Sequence, residues 1–327
     1  MNSLMISVIA TVTMPAVIAL GLIASQRPGE VDPGRTGAGL DFSGVVAGEA
    51  VPLPVTQVKK RDGTELAVRH LPGPPGAPLL ILVHGSGWHG GQFDGLARVL
   101  AERAEVLVPD LRGHGAAPVR RGDVDYIGQL EDDLADLIAA YRQEGQKVVL
   151  GGHSSGGGLV VRFAGGTQGG MLDAAVLMAP FLQYDAPVTR PNSGGWAHVL
   201  TRRIIGLSML NAVRIRALNH LTIIEFNMPE AARNGPQGHL ATLAYSYRMN
   251  TSYGPRRDYK ADIAALPDFV LIAGAEDEAF VADGYEPLMS EVTDKGHYLL
   301  VPGTGHLDIV DHPATAQAIA EVLDGLD

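Results

Sequence analysis

Gly152-His153-Ser154-Ser155-Gly156 places a serine between two glycines in the spacing G-x-S-x-G. Lys147 to Leu150 before it reads as a strand and Gly157 to Ala164 after it as a helix. A serine on so sharp a turn projects its oxygen beyond the sheet, and the flanking glycines avoid clashes that a Cβ would cause. The helix start offers N–H groups and a positive dipole end to a developing oxyanion. With 41 glycines in the chain, the pattern means little alone. Its place between a strand and a helix is what separates it from an ordinary turn.

A serine hydroxyl is a weak nucleophile until a base takes its proton, which directs attention to the eleven histidines. His306, in Pro302-Gly303-Thr304-Gly305-His306, follows the last strand candidate and precedes the last helix, where parallel strands present catalytic loops. His312, followed by Pro313, reads as a helix start, and His114 and His153 as residues of structural turns. An acid is expected after the preceding strand, where Gly274-Ala275-Glu276-Asp277-Glu278 offers three carboxylates. Asp277 is the candidate and Glu276 its one-residue alternative; the acid would hold the histidine tautomer and stabilise the imidazolium. His84-Gly85-Ser86-Gly87 follows another strand candidate. The backbone N–H groups of Ser86 and Ser155 would together form a two-donor oxyanion hole. Trp88 and His89, just beyond that turn, are the candidate substrate contacts.

The elements that must hold these residues follow a regular rhythm. Apolar runs at 79–83, 106–108, 148–150, 174–178, 269–273 and 298–301 are strands of the type buried on both faces, which implies a mostly parallel sheet. Helix candidates at 93–103, 127–141, 157–164, 280–292 and 314–323 lie between them and would cover both faces. Ahead of them, 55–59 and 66–70, split by Asp62-Gly63, read as a hairpin. The rhythm breaks at about 182–259, where mostly helical sequence suggests a cap inserted into a catalytic domain spanning 51–327. Composition agrees with one such core: 327 residues, 46% apolar, a mean hydropathy of +0.10 and no internal repeat.

At this point the sequence resembles a known group. His84-Gly85-Ser86-Gly87-Trp88-His89, Asp110-Leu111-Arg112-Gly113-His114-Gly115 and Gly152-His153-Ser154-Ser155-Gly156-Gly157 are similar to the monoacylglycerol lipase and lysophospholipase branch of the α/β hydrolases. Asp277 and His306 fall where that branch carries its acid and base. The resemblance implies an α/β-hydrolase fold and hydrolysis of lipid-like carboxylic esters through an acyl-enzyme on Ser154, without metal or cofactor. Trp88, Ser155 and Ala117 stand where the group often has Glu, Met and Ser. A thioesterase, an amidase or a C–C bond hydrolase would use the same three residues, and a non-catalytic ligand-binding protein could share the fold. A dehalogenase or epoxide hydrolase would want Asp at position 154.

Charge and the N-terminus bound the partners. A net charge of −11 argues against nucleic acid, which needs a basic face to release counterions. The absence of cysteine removes disulfides and thiolate chemistry. From Leu4 to Ala24 there are 21 uncharged residues, enough for a helix of about 30 Å, the thickness of a bilayer core. Residues 1–25 therefore read as a single-pass membrane anchor, with Pro15 tolerated inside it and a cleaved signal peptide as the competing reading. Arg27 and Arg35 follow it and nothing basic precedes it, which places the catalytic domain in the cytoplasm. Residues 26–50 read as a Gly/Pro-rich linker. One further feature lies in the cap: Ala186 to Ile224 holds no acid but has Arg190, Arg202, Arg203, Arg214 and Arg216 among apolar residues. Such a stretch suits either an anionic lipid surface or a lid packed on the core with its arginines solvated or bonded to carbonyls.

Overall fold

The computed structural model describes residues 3–29, 39–44 and 51–326, with side chains from residue 14 onward. In chain order, helix α1 is Ser3–Ala24, followed by strands β1 Val55–Lys59, β2 Glu65–Leu71 and β3 Leu79–Val83. Next come α2 Asp94–Leu100, β4 Glu105–Pro109, α3 Gln129–Tyr141, β5 Val148–His153, α4 Ser155–Ala164 and β6 Ala174–Met178. The cap then contributes β7 Ala197–Val199, α5 Thr201–Ala212, β8 Thr222–Phe226, α6 Glu230–Arg233, β9 Ala244–Ser246 and α7 Tyr247–Tyr253. The chain closes with α8 Tyr259–Ala264, β10 Asp268–Gly274, α9 Tyr285–Met289, β11 Gly296–Val301 and α10 Pro313–Asp324.

Eight strands form one sheet in the order β1-β2-β4-β3-β5-β6-β10-β11. The hairpin β1-β2 and the β2-β4 pair are antiparallel, and the remaining neighbours are parallel. Side chains alternate between faces, so Leu79, Ile81 and Val83 enter one core layer while Leu80 and Leu82 enter the other. The first layer is closed by α3 and α4 through Leu134, Ile138, Val160 and Phe163. The second is closed by α2 and α10 through Leu96, Leu100, Ile319 and Leu323. Burial on both faces explains why these strands read as unbroken apolar runs.

The cap occupies the connection between β6 and β10, which are themselves neighbours in the sheet. It is helical in part and also carries a three-stranded antiparallel sheet, β7-β8-β9, that the apolar pattern did not announce. Strands β7 and β9 have three residues each, too few to display a period of two. A second difference lies at 280–292, expected as one helix and observed as a turn followed by α9. Pro287 lacks an N–H and tolerates only the first turn of a helix, so α9 begins at Tyr285.

Among the described residues no helix is long and apolar enough to cross a membrane. The anchor expected over residues 1–25 lies partly outside the described side chains. What is described of α1 lies along α5: Ala19 and Ile23 are buried with Leu207, Leu210 and Ile223 in a small core of their own. Gly206 permits that approach, since a Cβ there would stand 2.5 Å from the Ala19 carbonyl oxygen and 2.8 Å from Ile23. Of the expected linker, 30–38 and 45–50 lie outside the described residues. Leu40 and Phe42, by contrast, are buried against the catalytic domain.

Candidate active site

Ser86, Ser154, Asp277 and His306 stand just beyond the carboxyl ends of β3, β5, β10 and β11, with the strand order reversing between β4-β3 and β3-β5. Ser154 has φ 54° and ψ −121°, a strained backbone for a residue with a side chain. The turn is held by close backbone approach on both sides. A Cβ on Gly152 would run into the Gly156 backbone, and one on Gly156 into the Val83 carbonyl. The two glycines around Ser154 are therefore a steric requirement. Ser155 begins α4, so its amide is one of the first N–H groups of a helix, which have no intrahelical acceptor.

His306 is buried, and its Nδ1 lies 2.8 Å from Asp277 Oδ2. The other oxygen, Oδ1, accepts from the amides of Ala279 at 2.7 Å and Phe280 at 2.8 Å. Burial raises the Asp277 pKa, but His306 and these two amides outweigh it and the net shift is downward. An ionised carboxylate on Nδ1–H leaves Nε2 as the basic nitrogen. Glu276 is exposed and its amide bonds the Thr304 carbonyl, so the geometry favours Asp277 of the two candidates. Ser154 and His306 face the same two chambers, with no direct hydrogen bond between them among the described residues.

The loop after β3 is held on both sides of Ser86. The Gly85 amide donates to Gln92 Oε1 at 3.1 Å, and the Gly87 amide donates to the Tyr245 hydroxyl at 2.8 Å. Ser86 itself lines both chambers, and its hydroxyl accepts from Trp196 Nε1 at 3.1 Å. Behind the loop, His84 and His114 are fully enclosed, and burial pushes their pKa values down to about 4 and about 3. His153 is likewise lowered to about 3 by burial and by His306. It accepts from Gln92 Nε2 at 2.6 Å and donates from Nε2 to the His306 carbonyl at 2.9 Å, so it braces the backbone of the base. His312 caps α10, as its place before Pro313 suggested.

Two chambers meet over Ser154. The smaller, about 60 Å³, is walled by Phe181, Ile224, Phe226, Tyr253 and Phe280. The larger, about 100 Å³, is walled by Phe42, Trp88, Gln92, Trp196, Leu307 and Asp311, among others. Trp88 thus takes the place expected of a substrate contact, whereas His89 is buried behind its ring, 5.0 Å between centroids, and lines neither chamber. Several residues at the site escaped the sequence reading. Trp196 is one of only two tryptophans, a rarity that could have marked it, and Glu278, noted only as one of three carboxylates after the strand, accepts the His306 amide at 2.8 Å. Among the described residues no cluster of His, Asp or Glu is arranged to hold a metal.

Residues 80–319 match the model of a family described as "Alpha/beta hydrolase family". A pimeloyl-[acyl-carrier protein] methyl ester esterase of Chromobacterium violaceum is 43% identical over 65 residues, 20% of this chain and 23% of that protein. The chain spans about a quarter of the length of the curated relatives it matches first. Among solved structures, the monoacylglycerol lipase of Paleococcus ferrophilus aligns with a TM-score of 0.62 and 21% identity, over 81% of this chain and 100% of that one. A bacterial membrane phospholipase A aligns with a TM-score of 0.57 and 17% identity, over 99% of this chain and 96% of that one. With a single family model covering residues 80–319, from β3 into α10 and including Ser154, Asp277 and His306, this chain belongs to the α/β hydrolase family.

Proposed function

We propose that this protein is a serine esterase acting on lipid-like carboxylic esters, with Ser154 as nucleophile, His306 as base and Asp277 as the residue that orients it. The observation that carries this reading is the 2.8 Å contact between Asp277 Oδ2 and His306 Nδ1, opposite a serine on a strained turn. His306 takes the Ser154 proton as Oγ attacks the ester carbon, and the oxyanion forms toward the Ser86 and Ser155 amides. His306 then protonates the departing alcohol, and a water deprotonated by the same nitrogen hydrolyses the acyl-enzyme. The smaller, aromatic chamber suits an acyl chain. The larger one includes Leu307 and Asp311 from the segment after the base, so the group that takes its proton belongs on that side. Activity against a panel of simple esters, monoacylglycerols and lysophospholipids tests the reading, with Ser154→Ala as the control. Full turnover by a folded Ser154→Ala protein would remove Ser154 from the chemistry.

We infer further that α1 and the cap meet a membrane surface. Met14, Val17, Ile18 and Leu20 of α1 are exposed, as are Ile205, Val213 and Ile215 at or just beyond the α5 helix against which α1 packs. Arg202, Arg214 and Arg216 are exposed beside them, a basic rim in a chain of net charge −11. Exposed apolar side chains with arginines nearby in the chain suit an anionic bilayer surface. Two of the five cap arginines are used internally. Arg190 donates to the Asp277 and Phe280 carbonyls and Arg203 to that of Thr222.

A further inference from the structure

Phe42 reaches the active site from outside the region that the family model covers, which begins at residue 80. Its ring lies 6.2 Å from Trp88, edge-on, and 5.5 Å from Trp196, so it stands between the turn after β3 and the start of the cap. Leu40 and Gly44 line the same chamber, which makes residues 40–44 a short strap along its wall. The strap is also fastened beside the base. The Asp41 amide donates to Glu278 Oε1 at 3.2 Å, while Oε2 of the same carboxylate accepts the His306 amide at 2.8 Å. At the far end the backbone of Gly44 runs against Asp308, close enough that a Cβ would meet its Oδ1 at 2.8 Å.

A wall supplied in this way has a particular consequence. Trp88 and Trp196 are both buried, and Phe42 packs on each of them from the strap. The rest of the larger chamber comes from the sheet loops, α10's approach and the cap, all fixed by extensive packing. Phe42 packs against two indoles from a strap that belongs to no strand of the sheet, so changing its size alters the chamber while the sheet that carries Ser154 stays in place. We propose that Phe42 is a specificity-determining residue, setting the size of the alcohol group admitted beside Ser154. This rests on the esterase reading and on the assignment of the larger chamber to the departing alcohol.

The test compares two substrate series in the full-length protein, Phe42→Ala and Phe42→Trp. One series holds the acyl group constant (methyl, butyl and octyl butyrate), and the other holds the alcohol constant (methyl acetate, butyrate and octanoate). Phe42→Ala should raise kcat/KM for octyl over methyl butyrate by about tenfold or more, in keeping with the worth of a few methylenes in an apolar pocket. Phe42→Trp should lower the same ratio, and neither variant should change selectivity in the acyl series. A purely structural role would lower activity on every ester in both variants, with a lower Tm. That result, or a shift confined to the acyl series, would overturn the proposal. If the wild type cleaves no ester, the esterase reading fails. The strap is then judged by the rate at which fluorophosphonates bearing a small or a dodecyl alkoxy group label Ser154, which requires no turnover. There Phe42→Ala should favour the dodecyl reagent and Phe42→Trp the small one, and an unchanged preference would overturn the role of Phe42.

Discussion

The Tyr245 hydroxyl of the cap donates to His114 Nε2 at 2.6 Å. It also accepts the Gly87 amide at 2.8 Å, while His114 Nδ1 donates to the Arg112 carbonyl at 3.1 Å. This chain of donors runs in one direction and is complete with a neutral imidazole, in agreement with the lowered pKa of His114. It ties the cap to the loop carrying Ser86, one residue from Gly87. Tyr245→Phe removes the hydroxyl that accepts the Gly87 amide and donates to His114. An unmade buried hydrogen bond costs about 1–3 kcal/mol. We expect kcat to fall about tenfold with KM little changed, a fraction of the loss seen when an oxyanion donor is removed outright. A lower Tm with unchanged kcat would confine Tyr245 to stability.

Nucleophile and base act as a unit, so Ser154→Ala and His306→Ala should each lower kcat by about 10³ or more. Circular dichroism should remain that of the wild type. Labelling by a fluorophosphonate should vanish in Ser154→Ala.

The three neighbouring carboxylates should behave differently. Asp277→Asn leaves the volume but removes the charge that holds the His306 tautomer, and should cost about 10³ or more in kcat. Glu276→Gln, at an exposed side chain, should be nearly silent. Glu278→Gln keeps one acceptor for the His306 amide and should fall between them. Steady-state kinetics on one soluble ester gives the order, and Glu276→Gln as the most damaging would move the acid there.

Four enclosed histidines make stability depend on pH. Burial lowers His84 and His89 to about 4 and His114 and His153 to about 3, because a dry site disfavours the imidazolium. Unfolded, these rings titrate near 6.5, so between that value and the folded one the unfolded chain binds more protons. Their contribution is therefore fully present above about pH 6.5 and is lost as the pH falls toward 3–4. At pH 5 each ring costs at most about 2 kcal/mol relative to neutral pH. Thermal unfolding should show a Tm that drops steadily below pH 6.5, and a flat Tm down to pH 5 would mean that these rings are not enclosed.

For the membrane face, Arg202→Glu with Arg214→Glu is the informative pair, since Arg203 is bound to the Thr222 carbonyl and its loss would disturb the cap. Each exposed arginine near an anionic surface contributes roughly 1 kcal/mol, screened within about 8 Å at physiological salt. The pair should weaken flotation with anionic vesicles and slow hydrolysis of lipid in them, while methyl butyrate turnover stays near wild type. Equal losses on both substrates would assign the arginines to cap packing.

That Ser154, Asp277 and His306 lie at the ends of sheet strands was legible in the sequence, because the strands before them are apolar runs. Such strands are local apolar runs, and the loops at their carboxyl ends need no distant information to be located. The same locality explains why the hairpin and strands β3, β4, β5, β6, β10 and β11 could be read directly, whereas their order in the sheet came only with the structure. Asp277 over Glu276 was a matter of one residue, and only the folded loop, with Oδ1 capturing the Ala279 and Phe280 amides, shows which carboxylate points inward. The three-residue strands of the cap carry no period, and they form only because β8 lies between them. The chamber walls were illegible for the same reason. Phe42, Trp196 and Tyr245 are far apart in sequence and gain their meaning from contacts across the mouth of the site. For Arg190 and Arg203 the sequence left lipid contact, solvent and carbonyl partners open, and only tertiary structure supplied the carbonyls they bind. Local burial writes a pattern into the chain, whereas a contact between distant segments leaves none, and the walls of this site are built from contacts of the second kind.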